Sequence, residues 1–351
     1  MASPNVSVVV PIYNTEPYLE RCLESLVNQS LRDVELVLID NACTDQSPSI
    51  IDRYANKDSR IRVYTHKKNV GVGGARNTAL ELATGDYVTF VDSDDWVDTM
   101  AFEILYNKAN EQDCDLVICG THYVDVEGEP TEKIHSYLSE HMLHDGSAFD
   151  CYLEKEPQRM IFNSTWGKLY RRTLFTQSSI KYSQEWMFED LSVTARLIFL
   201  SKKVLLVPQA LYYYRQRPHS MTADLQLSQI NGYLKEFRTL NTFLRENHVY
   251  ESHKGKFWRL FYRTCVVWFY YTVVYQVPED DYMQCFMEWC QRIYQDLDEE
   301  ELGCLSSVAS ENRLKLPFLV FCDPALEGIP KLVSESFLEI LKVSAVDLDS
   351  Q

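Results

Sequence analysis

The sequence predicts an α/β fold built on a mostly parallel sheet and followed by a helical C-terminal domain. Three observations predict it. Short β-branched apolar runs alternate with stretches of helical periodicity through the first 120 residues. Polar clusters follow four consecutive strand-like runs, at the edge where such sheets bind their ligands. Beyond Leu225 the apolar residues recur at helical spacing.

The elements follow in chain order. Residues 6–10 form a β-branched run that stops at Pro11, the pattern of a buried strand. Leu19, Cys22, Leu23, Leu26 and Val27 then repeat at helical spacing, with Pro17 suited to a first turn. Residues 34–39 predict a second buried strand, and Ile50, Ile51 and Tyr54 a short helix. A third strand is expected at 61–64, a helix at 75–83 stopped by Gly85, and a fourth strand at 87–91. A helix at 101–111 and a strand at 116–119 complete the alternation. Residues 121–162 lose periodicity and read as a connecting loop or lid. A second ordered block runs over 163–222. Leu234, Phe237, Leu240 and Leu244, and then Phe257, Leu260, Phe261 and Val267, mark the helical region. The domain expectation is therefore 1–222 for the α/β part, divided at residue 120, and 223–351 for the helices.

Composition narrows the function. A net charge of −17 is a poor match for unaided nucleic-acid binding, which needs clustered Lys and Arg on phosphates. None of the ten cysteines forms a CxxC pair, so they read as reduced thiols of a cytosolic protein. The N-terminal residues lack the basic region of a signal peptide. No apolar stretch reaches the roughly 18 residues of a membrane span.

The chemistry concentrates after the strands. PIYNTE (11–16) follows the first, DNACTD (40–45) the second, GVGGARN (71–77) the third and DSDDW (92–96) the fourth. Asp92, Asp94 and Asp95 repel one another unless a cation sits among them. A hard divalent ion of the Mg²⁺ or Mn²⁺ kind takes oxygen ligands and shares substrate phosphates. The plainer reading of such a cluster is a solvated turn or helix cap. Tyr13 offers a ring for a nucleobase and Asp40 a carboxylate for an imide N–H. Gly71, Gly73 and Gly74 permit close backbone approach, and Arg76 suits a base or phosphate. The glycines follow the third strand rather than the first and Arg76 stands at the last glycine position, which argues against a dinucleotide-binding dehydrogenase. No Walker A sequence is present. In the second block stand NSTWGKLYRR (163–172), WMFED (186–190) and YRQRPHS (214–220). Glu189 and Asp190 open a helical pattern and serve either as cap or as general base.

Taken together, these motifs resemble the family 2 nucleotide-sugar glycosyltransferases with the GT-A fold, of the bacterial surface-polysaccharide type. VSVVVPIYNTEPYLERCLESLVNQS, ELVLIDNACTDQS, NVGVGGARNTALELATGDYVTFVDSDDW, WGKLYRR and FEDLSVTARL carry the resemblance, in the family's order, over about 5–220. It implies a nucleotide-binding half at 1–120 and an acceptor half at 121–222. Tyr13, Asp40 and Arg76 would hold the nucleoside, most often uridine, with Pro11 and Ser93 among the donor contacts. Asp92 and Asp94 would form the DxD motif for ribose, metal and diphosphate, assisted by Asp95. Asp190 would be the base, with Glu189 orienting it or replacing it. Trp166 and Lys168 would lie near the sugars, and His219 in a region that sometimes supplies a metal or phosphate contact. The acceptor would be a glycan or lipid-linked saccharide, met in the cytoplasm at the inner face of a membrane. Two departures stand out. Asn41, Ala42 and Cys43 replace the last three residues of the usual Asp-Asp-Gly-Ser, and His219 stands where a small residue is common.

The reading is an inverting transfer from a nucleotide sugar, UDP-linked by the resemblance. The rivals are a nucleotidyltransferase, which would want a basic glycine-rich triphosphate loop near the N-terminus, and an inactive binding protein of the same fold. The aromatic run at 256–275 divides between a packed core helix and a surface for a membrane or lipid-linked acceptor.

Overall fold

The structure is a computed structural model that describes residues 3–154, 160–184, 188–217, 229–264, 288, 292–293 and 295–311. Contacts within the chain divide it into two compact units, Met1–Ser220 and Met221–Gln351.

The first unit opens with the expected alternation: β1 (Val6–Ile12), α1 (Glu16–Val27), β2 (Val34–Asp40), α2 (Ser47–Ala55), β3 (Ile61–Thr65), α3 (Gly71–Leu82) and β4 (Tyr87–Phe90). A two-residue β5 (Trp96–Val97), α4 (Ala101–Glu111) and β6 (Leu116–Val124) follow. Then come β7 (Pro130–His135), β8 (His141–His144), α5 (Ser147–Glu154), β9 (Lys168–Arg171), α6 (Thr173–Ser178), α7 (Asp190–Leu200) and β10 (Lys203–Arg215). The strands form one sheet in the order β3-β2-β1-β4-β9-β6-β10-β5, with β7 beside β6 and β8 beside β10. Strands β3, β2, β1 and β4 run parallel, as do β6 and β10. Strand β9 lies antiparallel between β4 and β6. The sheet is thus mostly parallel and mixed, as in the GT-A architecture.

Every residue of β1 and β2 is buried, because helices cover both faces. Val6, Val8, Val10, Leu36 and Leu38 share a core with Leu19, Leu23 and Leu26 of α1 and with Phe102 and Leu105 of α4. Helix α3 packs on the same two strands yet none of its residues joins that core, so it covers the other face. The strand period of two therefore sends alternate residues to opposite helical layers.

Residues 121–162 are not the irregular lid that the sequence suggested. They extend β6 by five residues beyond the expected 116–119 and add β7, β8 and α5. Most positions of β7 are exposed, so no apolar alternation announces the strand. Helix α3 also starts four residues earlier than expected, because its glycines lie inside the first turn. A Cβ on Gly73 would stand 1.9 Å from the Ser183 carbonyl oxygen, so only glycine lets the helix approach the 182–184 segment.

The second unit contains α8 (Ile230–Glu246), α9 (Tyr250–Phe261) and α10 (Glu299–Glu311). Phe237, Phe257, Trp258 and Phe261 pack edge to face, with ring centroids 5.0–5.8 Å apart. The Trp258 indole N–H donates to the Tyr250 hydroxyl at 3.0 Å. Phe257, Trp258, Phe261 and Tyr262 are buried, which is the packed-core reading for this part of the aromatic run. Trp268, Phe269, Tyr270 and Tyr271 lie outside the described residues.

Candidate active site

The carboxyl ends of β1, β2 and β4 meet in three interlocked loops. Past β1, Tyr13 is 46% exposed. Asn14 takes φ 52°, which its short amide side chain tolerates. That side chain accepts the Thr44 N–H at 2.8 Å and donates to the Thr44 hydroxyl at 3.1 Å. Thr15 donates its hydroxyl to Ser93 at 3.0 Å, tying the β1 loop to the acidic loop. Past β2, the Asp40 carboxylate accepts the Cys43 N–H at 2.9 Å and closes a turn around Ala42. Ala42 sits at φ 62°, a left-handed conformation in which glycine would be unstrained. Pro11 is buried within β1, paired with Ile39, and Ser93 is buried under Thr15. Neither side chain faces open space, so both support the loops from within.

The three aspartates of the acidic loop differ in orientation. Asp92 and Asp94 are partly exposed, and Asp95 is 1% exposed. Asp95 accepts the Tyr212 hydroxyl at 2.7 Å and the Arg215 N–H at 2.8 Å. Burial, and then the charges of Asp94 and Asp92, push its carboxyl well above the usual range. Asp95 is thereby a strut that fixes the loop to β10. Asp94 pairs with Arg217 at 2.7 Å, and burial followed by the Asp92 charge raises its carboxyl. Asp92 pairs with Arg76 at 3.0 Å.

Among the described residues no three His, Cys, Asp or Glu side chains converge as a metal site. Asp92 and Asp94 nonetheless fit a hard divalent ion that completes its shell with substrate oxygens. They are two partly open carboxylates on one turn, and the like charge between them is what a cation relieves. His219 lies outside the described residues.

Arg76 is the hub between this loop and the next. It is buried on α3 and bonds the Glu189 carboxylate through Nη1 and the Asp92 carboxylate through Nη2. Its guanidinium also lies 5.5 Å from the centre of the Tyr182 ring. An arginine so placed positions two carboxylates. Glu189 is buried at the N-cap of α7, where burial raises its carboxyl and Arg76 opposes the rise. Phe188, immediately before, is held at φ 68°, local backbone strain of the kind found at sites of function.

Asp190 is the first residue of α7 and is half-buried. Burial, and then the neighbouring Glu189 charge, push its carboxyl up to about 7, with Arg76 and Lys168 opposing. A carboxylate near neutrality is matched to taking a proton at physiological pH.

Trp166 and Lys168 separate. Trp166 is half-buried and stacks on Tyr212 at 4.5 Å and Tyr214 at 5.2 Å. Lys168 is 2% exposed, and burial pulls its amine down to about 7. Its ammonium donates to the carbonyl oxygens of Ser164 at 2.6 Å and Trp166 at 3.4 Å. It thereby ties its own loop together. Tyr182, Tyr212, Arg215 and Arg217 carried no assigned role from sequence. The signal for three of them was a Tyr-Tyr-Tyr-Arg-x-Arg run closing a strand, the same strand-end logic that singled out the acidic loop.

Comparison with known proteins places the chain in a family. The family model for glycosyl transferase family 2 matches residues 7–188. The glycosyltransferase GlyA of Streptococcus pneumoniae is 35% identical over 227 residues, 63% of this chain and 32% of GlyA. The glycosyltransferase EpsJ of Bacillus subtilis is 34% identical over 220 residues, 62% of this chain and 63% of EpsJ. The chain thus matches less than two thirds of either relative's length. The crystal structure of S. aureus TarS in complex with UDP-GlcNAc shares the fold, with a TM-score of 0.65 and 22% identity over 86% of this chain and 84% of that one. With a matched family model over half of its length, interlocked strand-end loops and two partly open aspartates after β4, the chain belongs to glycosyl transferase family 2.

Proposed function

We propose that the chain is an inverting glycosyltransferase that moves a sugar from a UDP-linked donor to a hydroxyl of a glycan or lipid-linked acceptor. The observation that carries this reading is the Arg76 bridge. One guanidinium holds Asp92, on the donor side, and Glu189, next to Asp190. Donor loop and base are thereby fixed to each other, as a single displacement requires.

In this mechanism Tyr13 offers its exposed ring to the nucleobase and Asp40 receives the imide N–H. The occurrence of UDP-GlcNAc in TarS favours uridine over other bases. Asp92 and Asp94 would hold a Mg²⁺ or Mn²⁺ ion, which supplies charge neutralisation for the departing diphosphate. Asp190 takes the proton of the acceptor hydroxyl. The oxygen forms its bond to the anomeric carbon on the face opposite the diphosphate. The bond from that carbon to the diphosphate oxygen breaks, and its electron pair leaves with the nucleotide. Trp166, stacked beside Tyr212 and Tyr214, is the apolar wall against which a sugar ring would lie.

The six described cysteines are free thiols, and no helix among the described residues is long and apolar enough to cross a membrane. We place the reaction in the cytoplasm, with peripheral contact at the inner membrane face when the acceptor is lipid-linked. The helices of 223–351 form a separate domain in this reading. The test is release of nucleoside diphosphate from a panel of nucleotide sugars with glycan acceptors. UDP release that needs both acceptor and Asp190 is expected. Pyrophosphate release, or binding without turnover across the panel, would sink the reading.

A further inference from the structure

Asn41 stands directly after β2 and is 3% exposed. Its amide makes four hydrogen bonds, the full set such a group can form. The nitrogen donates to the Asn69 side-chain oxygen at 2.9 Å and to the Gly71 carbonyl at 3.2 Å. The oxygen accepts the Val70 N–H at 3.1 Å and bonds His66 Nδ1 at 3.0 Å. Two of these partners have no freedom. A backbone N–H can only donate and a carbonyl can only accept, so Val70 and Gly71 together fix which end of the amide is oxygen. His66 must then carry its proton on Nδ1. Its Nε2 lies 3.0 Å from the Thr78 hydroxyl, whose single proton is shared between that nitrogen, when the ring is neutral, and the Gly74 carbonyl at 3.2 Å. Asn69 completes the ring of contacts by accepting the Gly71 N–H at 2.8 Å.

This network joins the end of β2, the end of β3 and the first turn of α3. It holds the segment that α3 uses to pack on 182–184, where Asn77 and Tyr182 exchange two hydrogen bonds of 2.8 and 2.9 Å. It also adjoins Asp40. We propose that Asn41 is a positioning residue for the donor: it sets the 66–71 loop and the start of α3 against the nucleoside pocket, with His66 as its neutral second support. The proposal rests on the donor-site reading above. It depends on an amide rather than a carboxylate at 41, because a carboxylate would present a lone pair to the Gly71 carbonyl and to Asn69, where the structure has donors.

The groups around His66 set the expected behaviour. Asp40 is the charge acting on it, Tyr64 presents a ring edge at 5.2 Å, Thr78 is uncharged, and Lys67 and Lys68 point to solvent. Burial lowers the ring's affinity for a proton and Asp40 partly restores it. Above its titration the wild-type network is neutral, so donor affinity should not change between pH 7 and pH 8.

The test uses the full chain and UDP-GlcNAc, whose diphosphate is a diester and does not titrate in this range. NMR of the histidine rings should find His66 in the Nδ1–H form. Asn41→Asp keeps the shape and loses both donors. It should weaken UDP-GlcNAc binding about tenfold at pH 8, the effect of two lost hydrogen bonds, with kcat at saturating donor little changed. It should also raise the His66 pKa, because a carboxylate then faces the ring, so that binding by this variant recovers toward pH 6. Adding His66→Gln should remove that recovery, which a merely structural weakness would not do. A wild-type ring protonated on Nε2 would overturn the network. Equal donor affinity of N41D and wild type at pH 8 would overturn the positioning role alone. A wild type that binds no nucleotide sugar would instead overturn the functional reading, and the donor role with it.

Discussion

The loops after β1 and β2, proposed to bind the donor, and the segment at α7, proposed to supply the base, are built from different physics. After β1 and β2 the polar groups are held by hydrogen bonds between mostly uncharged partners: Asn14 with Thr44, Thr15 with Ser93, Asn41 with His66, Val70 and Gly71. Around α7 the order comes from charge: Arg76 between Asp92 and Glu189, with Asp190 and Lys168 each displaced toward neutrality by burial. Above the titration of His66 such a neutral network holds one geometry. A buried charge network is tunable, and it fails when one member is removed. The division suits the two tasks, since a pocket for a base needs shape and a proton acceptor needs a matched pKa.

The largest effect expected from breaking the charged side is on chemistry. Asp190→Asn keeps the size of the side chain and cannot accept a proton. Its turnover should fall at least about a hundredfold, the lower end of general-base contributions. Donor affinity should stay within twofold, because the donor loops do not depend on Asp190. Single-turnover rates and donor titration check both halves. Normal turnover by D190N, with loss in Glu189→Gln, would mean that the roles are reversed.

Arg76→Met should damage both chemistry and stability. Removing one partner of a buried ion pair typically costs about 3–5 kcal/mol, because the other charge stays behind unpaired. Here Glu189 and Asp92 both lose their cation. Arg76 also opposes the rise of the Asp190 carboxyl, so its loss should move the acid limb of the pH–rate profile to higher pH. Arg76→Lys keeps the charge but cannot fork between two carboxylates, and it should recover only part of either loss. A thermal melt and a pH–rate profile separate the two effects.

The pH dependence of the wild type follows from Asp190 with a definite sign. Its carboxyl lies above its ordinary value in the folded state, at about 7. Turnover should therefore fall about tenfold per unit below pH 7. Stability runs the other way. Between about pH 4 and pH 7 the folded chain binds more protons at this site than the unfolded chain, so this carboxyl costs stability as the pH rises. D190N removes that cost and should melt higher than wild type at pH 8, with the difference closing by pH 5. Roughly 1–2 kcal/mol is expected, less than the ~4 kcal/mol of three full pKa units, because the half-buried carboxyl is partly screened by solvent. An unchanged melt at pH 8 would mean that the carboxylate is well solvated.

The same division explains what the sequence made legible. Strands β1, β2 and β4 announced themselves because full burial leaves unbroken apolar runs, and the polar clusters follow from where those runs stop. Strand β7 was missed because its exposed positions carry no period. The motifs found Asp92, Asp94, Asp95, Arg76 and Asp190 as a set, but spacing says nothing about which way a side chain turns. Asp95 turns in to Tyr212 because β10 passes behind the loop, and Lys168 turns in because Ser164 and Trp166 offer carbonyls. The first is a tertiary fact, set by a strand more than a hundred residues away, and the second is set by the path of the 164–168 loop itself. Arg76 read as a ligand contact because an isolated arginine near glycines suits phosphate, and its two carboxylate partners lie 16 and 113 residues away.

The smallest effect belongs to Tyr13, and it isolates the donor side from the charged side. Its ring is 46% exposed, and the hydroxyl and ring add little to folding. Tyr13→Ala should therefore leave the melting temperature within about a degree. If the ring stacks on the nucleobase, its removal costs ~1–3 kcal/mol of binding, the range seen when aromatic platforms for bases are cut to alanine. That is a rise of about 5- to 150-fold in the donor dissociation constant. The contact is the same in ground and transition states, so kcat at saturating donor should hold while kcat/KM falls by the same factor. Tyr13→Phe keeps the ring and should behave as wild type. A fall in kcat itself would mean that Tyr13 acts on the reacting centre through Asn14 and Thr15, the residues that tie its loop to the acidic one. The two halves of the site would then be coupled more tightly than their separate hydrogen-bond networks suggest.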